Sequence, residues 1–383
     1  MSLCIHCRQA EIREWPGFGQ FRRITSDCRS WSAGGHLGVC PHCATVQKPT
    51  TPAWLEECRR IYGDYHAYYQ GKGAEQAVFL SGGLGQVRSK AFLTWIFSAI
   101  PPTEAGQLLD VGCGNGNLLA SMAELFPRWR LAGADLGEAH RTTIEAIPQV
   151  EWFHSQGLEN LPGSFDLITA VHLLEHLDRP WAGLRTLAAS LKPGGRLAIE
   201  VPDLRSNPFD LLIADHASHF TASTLSRTLQ ACGLQGRVFE DVIPRELSVI
   251  VQSTRVQDDR SAVGPAAGDE VDGARAMVDR HLAWLRALLA AARDAAGQSS
   301  KVALMGSSIA AGWLAAELAG CIDCFIDEDP NRAGSTFLDL PILAPEQLPR
   351  STLLLLPMTP ATAEPVAARM TALGLRVVLP PTW

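Results

Sequence analysis

From Arg88 onward the hydrophobic positions alternate between short continuous runs and longer stretches of helical spacing. The runs predict strands at Gly106–Val111, Arg130–Ala134, Glu151–His154, Phe165–Ala170 and Arg196–Val201. The stretches between them predict helices at Ser89–Ile100, Asn117–Phe126, Glu138–Ile147, Trp181–Leu191 and Ala222–Cys232, the first stopped by Pro101 and Pro102. Strands alternating with helices imply an α/β fold with a parallel sheet covered on both faces. The runs Arg237–Val242 and Glu246–Ser253 are separated only by Ile243-Pro244-Arg245, too short for a parallel crossover, so they predict an antiparallel hairpin.

Arg255–Gly273 lacks periodicity and is rich in Asp, Gly, Ala and Ser, the pattern of a linker. A long helix is predicted over Ala274–Ala296. A smaller α/β unit follows, with strands at Lys301–Met305, Cys324–Asp327, Thr352–Leu356 and Arg376–Leu379 and helices at Ile309–Leu318 and Pro360–Leu373. The expected division is 1–75, 76–254, a linker with the long helix over 255–299, and 300–383.

The length of 383 residues fits two or three domains. With 46% hydrophobic and 19% charged residues the chain has the composition of an ordinary globular protein. The formal charge of −7 excludes a protein held on nucleic acid by bulk charge, and no nucleic-acid partner is expected. Leu353 to Met358 is far shorter than the ~20 apolar residues of a membrane span. Met1–Cys7 has no apolar secretion core, so no membrane partner and a cytoplasmic location are expected.

Ten cysteines change the picture at the N-terminus. Cys4-Ile5-His6-Cys7 and Cys40-Pro41-His42-Cys43 are two Cys-x-x-Cys pairs, and Cys4, Cys7, Cys40 and Cys43 supply the four thiolates of a tetrahedral structural Zn²⁺ site. A redox pair is the rival for either motif alone, and two pairs in one segment favour metal. Cys28 and His36 lie between them and read as loop residues. A metal would also supply stability that residues 1–75 cannot draw from a large core. Tyr62, Tyr65, Tyr68 and Tyr69, the four tyrosines of the sequence, cluster with His66. Both a packing patch and a substrate-facing wall fit them.

The strongest signal in the predicted sheet is Asp110-Val111-Gly112-Cys113-Gly114-Asn115-Gly116. Gly112, Gly114 and Gly116 let backbone approach a ligand where strand becomes helix. Dinucleotide turns read Gly-x-Gly-x-x-Gly, whereas here the third glycine comes one residue early. Asp135 ends the next strand, where a carboxylate can take both hydroxyls of a ribose. These residues, with Lys192-Pro193-Gly194-Gly195 before the fifth strand, resemble the S-adenosylmethionine (SAM) site of class I methyltransferases over about 86–254. The resemblance implies a Rossmann-like core. It places Asp110 near the methionyl amine, the three glycines against the cofactor, Asp135 on the ribose, and Ser155, Gln156 and Gly157 near the adenine.

His172-Leu173-Leu174-Glu175-His176 lies past the fourth strand, where open α/β sheets bind ligands. His172 is a candidate cofactor contact and His176 a catalytic candidate. The order also matches inverted zinc-protease motifs, which need a longer helix and a distant third ligand. In Phe209–Phe220, Asp215 adjoins His216 with His219 following, enough for a base and its orienting group.

Taken in order, these modules resemble the three-domain sugar C-methyltransferases that act on nucleotide-linked 4-keto deoxysugars. The likeness is carried by Cys40–Cys43, Val46-Gln47, Tyr65–Gly71, Phe209, Asp210, His216, Ser218, Phe220 and Phe325-Ile326-Asp327. It departs where that family has Glu (here Asp215), an active-site Tyr (Ile213) and a second Tyr (His219). The resemblance implies SAM and structural Zn²⁺, a small-molecule acceptor such as a nucleotide-sugar, and a monomer or homodimer. It implies His216 as base, His176 and Asp215 at the acceptor, and Tyr68 on the pocket wall. O- or N-methylation on the same architecture, or an inactive zinc-ribbon binding module, are the alternatives. The intact glycine motif argues against the last.

Overall fold

The computed structural model describes residues 2–66, 73–75, 77–79, 85–100, 104–158, 160–253 and 263–383. The apolar runs form seven core strands: β1 Gln107–Val111, β2 Arg130–Ala134, β3 Val150–His154, β4 Phe165–Val171, β5 Leu191–Pro202, β6 Val238–Glu240 and β7 Glu246–Ser253. Their order is β3-β2-β1-β4-β5-β7, with β6 on β7. The first five are parallel. β7 runs antiparallel to β5 and pairs with β6 in the expected hairpin. Alternate strand residues face opposite layers. Leu108 packs with Phe92, Leu93 and Met122 of one helical layer, and Leu109 with Leu184, Leu187 and Leu225 of the other. The chain reverses direction across the sheet between β1 and β4, and such switch points leave a crevice at the strands' carboxyl ends. Asp110 and Thr169 sit there in register.

Three expectations are corrected. The helix expected over Glu138–Ile147 is a single turn, Arg141–Glu145, because Asp135 accepts the Gly137 N–H and holds the preceding chain in a turn. Gly194 and Gly195 do not precede the fifth strand but lie within it, at a register shift against β4. A Cβ on Gly195 would come within 2.7 Å of the Phe165 carbonyl oxygen. The long helix begins at Gly268 rather than Ala274. Asp269 and Glu270 suit its first turn, and Glu270 accepts the Ala267 N–H. Residues 254–262 of the expected linker lie outside the described residues.

The N-terminal segment does not close on itself. Arg13–Glu14, Gly38–Val39 and Val46–Gln47 form a four-stranded antiparallel sheet whose last strand is Ser218–His219 of the core. Its apolar side joins the long helix and the C-terminal unit in one core, through Phe18, Phe21, Ile24, Leu285 and Trp313. The C-terminal unit has strands β8 Val302–Met305, β9 Cys324–Ile326, β10 Thr336–Phe337, β11 Leu340–Leu343, β12 Leu353–Leu355 and β13 Arg376–Val378. They are ordered β10-β11-β9-β8-β12-β13, parallel except for β10. No helix among the described residues is long and apolar enough to cross a membrane.

Candidate active site

At the end of β1 the chain turns through Gly112, Gly114 and Gly116, with φ of 74°, 53° and 84°. Only glycine adopts such backbone without strain. The Asp110 carboxylate accepts from Thr169 Oγ1 at 2.7 Å. Burial pushes its pKa up to about 7, the Thr169 bond opposes that, and nearby Asp135 and Glu75 reinforce it. Asp135 accepts backbone N–H groups from Gly114 and Gly137, both at 2.9 Å. A Cβ at Gly114 would meet nothing within 4 Å, so the turn borders open space. Bonded acids beside a vacant, backbone-lined turn fit a ligand with a cationic amine and a vicinal diol, and SAM has both.

Asp110, Gly112, Gly114, Asp135, Gln156, Gly157 and His172 line one cavity of about 1190 Å³. Two residues expected at the cofactor, Gly116 and Ser155, stand outside this lining. Gly116 faces packing, since a Cβ there would come within 2.9 Å of Ile147 and 3.1 Å of Ile144. Ser155 is tied to surface groups, donating to Glu138 at 2.6 Å and accepting from Arg141 at 3.1 Å. Neither lines the cavity. Glu75, which sequence reasoning missed, does line it, and accepts from Ser89 Oγ at 2.8 Å. The carbonyl of neighbouring Gly73 accepts from Asn115 and Asn117 of the turn.

His172 follows β4 with φ of 51°, a conformation non-glycine residues rarely adopt. Its Nδ1 lies 3.0 Å from Glu175 and its Nε2 3.7 Å from Glu246. It also contacts Arg88, which is paired with buried Glu200. Burial and Arg88 disfavour the imidazolium, but the carboxylates outweigh them and raise its pKa. Leu174–His176 is a 3-10 turn, which turns His176 towards the cavity.

His176 Nδ1 lies 3.1 Å from Tyr62 Oη and 3.4 Å from Asp215 Oδ2. Burial opposes its protonation, yet the Asp215 carboxylate raises the pKa overall. The His216 ring meets that of His176 edge-on, with centroids 4.6 Å apart. Its Nδ1 lies 2.7 Å from Asp210 Oδ1. Among the described residues neither Nε2 has a hydrogen bond, and both histidines line the cavity. Asp215, expected at the acceptor, faces His176 and Ser26. It is fully buried, accepts from the Ser26 N–H and hydroxyl, and does not line the cavity. Tyr68 lies outside the described residues. Asp210, Lys48 and Tyr62 are further residues of this cluster; six- and nine-residue separations of Asp210 from His216 and His219 carry no sequence signal. On the far side the cavity reaches Gly306, Ser307 and Arg332 of the C-terminal unit.

The four cysteines converge. Cys4 and Cys43 Sγ lie 3.6 Å apart, Cys7 and Cys40 Sγ 3.5 Å, and all four sulfurs fall within 4.8 Å of one another. Backbone N–H groups of His6 and Cys7 point at Cys4 Sγ, and those of His42 and Cys43 at Cys40 Sγ, each at 3.4 Å. The Gln47 amide donates to Cys4 Sγ at 3.0 Å. Four buried sulfurs ringed by N–H donors fit a thiolate-bound Zn²⁺. Cys28 stands outside the cluster, and His36 pairs with Glu14 on the surface.

Residues 87–237 match a family model described as a methyltransferase domain. The chain is 33% identical over 122 residues to trans-aconitate 2-methyltransferase of Azoarcus sp. (strain BH72), covering 31% of this chain and 48% of that protein. It is 35% identical over 130 residues to ubiquinone biosynthesis O-methyltransferase of Xanthomonas euvesicatoria pv. vesicatoria (strain 85-10), covering 32% and 52%. It thus spans about half the length of the curated relatives it matches. A solved structure of human N-acetylserotonin methyltransferase with SAM is similar at 17% identity, with a TM-score of 0.38, covering 44% of this chain and 52% of that one. The strand order and the matching model give the core the Rossmann-like α/β fold of a class I methyltransferase domain.

Proposed function

We propose that the chain is a SAM-dependent methyltransferase of small molecules, methylating a carbon α to a carbonyl in a nucleotide-activated sugar or related natural-product intermediate. The observation that carries this reading is the continuity of the cavity. It joins the Asp110–Asp135 turn to His176 and His216 and runs on to Gly306 and Arg332, so a cofactor and an extended acceptor fit end to end.

SAM supplies an electrophilic methyl group on a sulfonium. Asp110, ionised, balances the ligand's ammonium, and Asp135 accepts from a ribose diol. His216, with its Nδ1–H held by Asp210, takes the α-proton at Nε2. The electron pair left on carbon, its charge shared with the carbonyl oxygen, would form the new carbon–methyl bond as the methyl–sulfur bond breaks and S-adenosylhomocysteine leaves. His176, biased towards its protonated form by Asp215, donates to that oxygen. Cys4, Cys7, Cys40 and Cys43 would hold a structural Zn²⁺, which would brace the N-terminal segment.

A second reading is O- or N-methylation, which needs proximity more than a base. It is favoured by the name of the ubiquinone biosynthesis relative and by Ile213, which offers no hydroxyl to a keto group. Titration calorimetry with SAM tests the first step, and absence of binding would sink both readings. Incubating keto-sugar nucleotides with the chain and S-adenosylhomocysteine in D₂O separates them. Deuterium entering the acceptor's α-carbon supports carbon methylation, whereas a methyl ether or amine formed with SAM and no exchange supports the second reading.

A further inference from the structure

Behind His216, away from the cavity, lies a buried cluster of which the proposed reaction uses only Asp210. Lys48 follows the strand Val46–Gln47 and is only 1% exposed. Its Nζ donates to the carbonyls of Ile213 at 2.6 Å and His216 at 3.0 Å, and lies 3.2 Å from His219 Nε2. Asp210 spans the two histidines, with Oδ1 2.7 Å from His216 Nδ1 and Oδ2 2.6 Å from His219 Nδ1.

An ammonium can only donate, and an ionised carboxylate can only accept. With Lys48 charged, His219 Nε2 must accept from it. The proton of a neutral His219 then sits on Nδ1 and is donated to Asp210. The other Asp210 oxygen accepts from His216 Nδ1–H. That leaves the His216 lone pair on Nε2, facing the cavity. Each tautomer follows from its neighbour, beginning at the lysine.

Charge balance adds a second argument. A carboxylate buried as deeply as Asp210 needs one nearby cation. His219 and His216 bond it directly, and Lys48 reaches it across the His219 ring, so these are the three candidates. We propose that Lys48 is the counter-charge of Asp210, a positioning residue that keeps the His216 imidazole neutral with its Nε2 lone pair open to the acceptor. This rests on the reading of His216 as base. Consistent with it, burial and then Lys48 hold the His219 pKa down at about 4. The remaining charged and titratable neighbours are Asp215, Glu175, His176 and Tyr62 beside the histidines, Arg23 (paired with Glu57) and Cys58 near Lys48, and His281 near Asp210. Lys48 reaches its place through the cysteine module, since adjacent Gln47 bonds Cys4 Sγ and pairs with Ser218. The module at the N-terminus thereby sets the charge of a group across the fold.

The test is ¹⁵N-histidine NMR of the full chain with pH titration. At pH 7 the unaltered protein should show His216 and His219 neutral and protonated on Nδ1. An imidazolium at either position would overturn the proposal, with no variant required. In Lys48→Met, one histidine of the pair should stay protonated to a pH higher by about one unit or more. The acid limb of single-turnover methyl transfer should move up with it, while SAM affinity stays unchanged. An unshifted titration in folded Lys48→Met would mean that Lys48 only braces two carbonyls. The reading of His216 as base fails separately, if His216→Asn transfers methyl at the native rate whatever the titration shows.

Discussion

Asp215 Oδ2 lies 3.4 Å from the Nδ1 of His176, thirty-nine positions earlier in the chain, and makes no side-chain bond to its immediate neighbour His216. Two aspartates therefore orient two histidines: Asp215 serves His176, and Asp210 serves His216. The rings meet edge-on, and among the described residues neither Nε2 has a hydrogen bond. Such a pair divides labour between a base and a hydrogen-bond donor, with the roles set by which carboxylate holds which ring.

This division predicts unequal losses. His216→Asn should lower single-turnover methyl transfer by ~10²–10⁴-fold, the usual contribution of a general base. His176→Asn keeps a donor in place and should lose less. SAM affinity should hold in both. Equal, near-native turnover in the two variants would point to proximity catalysis.

On the proposed function, Asp110 should make SAM binding pH-dependent. Its folded pKa is raised to about 7, so in the free protein it is partly protonated at neutral pH. A cationic ligand prefers the carboxylate, and affinity should rise between pH 5.5 and 7.5, then level off. The stability of the free protein runs the other way. The folded state holds a proton that the unfolded chain has released, so this group's contribution falls as pH rises from about 4 to 7. Calorimetry across that range checks the first, and thermal melts check the second. Asp110→Asn should bind SAM ~10–100-fold more weakly and without the pH slope.

Asp210 and Asp215 have the opposite sign. Both are held well below the ordinary carboxylate value: burial opposes this, but the neighbouring histidines outweigh it. Their stabilisation is fully present above about pH 4, where the unfolded chain is also ionised, and is lost as pH falls towards their folded values. The protein should unfold in acid, and Asp210→Asn should cost about 3 kcal/mol at pH 7, since it leaves buried partners uncompensated. Urea melts at pH 7 and pH 2.5 read both effects. Equal losses at the two pH values would show that the charge of Asp210 is not what stabilises the fold.

The cysteine cluster predicts about one Zn²⁺ per chain in protein purified without added metal. A self-contained N-terminal module would unfold over residues 1–75 on losing it and leave SAM binding largely intact. The shared sheet changes that expectation, because Val46–Gln47 pairs with Ser218–His219, and His6 Nε2 lies 2.8 Å from Ser218 Oγ. Cys40→Ser should therefore lose metal and methyl transfer together, while SAM affinity, set on the far side of β1, stays near native. Loss of SAM binding alongside the metal would contradict this arrangement.

The core was legible because its signals are local. Apolar runs locate β1 to β5 within a few residues, and the glycine spacing marks the turn after β1. What stayed hidden depends on contacts distant in sequence or on unusual backbone. The β10–β11 hairpin turns through Leu338 and Asp339, with φ of 48° and 63°, where glycine or asparagine would have announced it. Lys48 carries no motif, and the pairing of an N-terminal strand with Ser218–His219 brings it to His216. The start of the long helix was missed because Gly268 and Gly273 resemble loop composition, while the helix is held by Met277, Leu282 and Leu285 further along.

The turn itself offers a comparison between two glycines two residues apart. Both have positive φ, so alanine at either position carries similar backbone strain, about 1 kcal/mol. Their surroundings differ. At Gly116 the new methyl would press on Ile144 and Ile147, and the turn would have to shift against the helix Asn117–Leu125. At Gly114 it would project into open cavity, where the cofactor is expected to lie. Gly116→Ala should therefore lower the melting temperature more than Gly114→Ala does. Gly114→Ala should weaken SAM binding more, by ~10-fold or greater for a methyl group placed in the ligand's volume. Melting curves and calorimetry on the two proteins would show this crossover. If both variants lost stability and affinity in the same proportion, the turn would be acting only as structure, and the cofactor would have to sit elsewhere in the cavity.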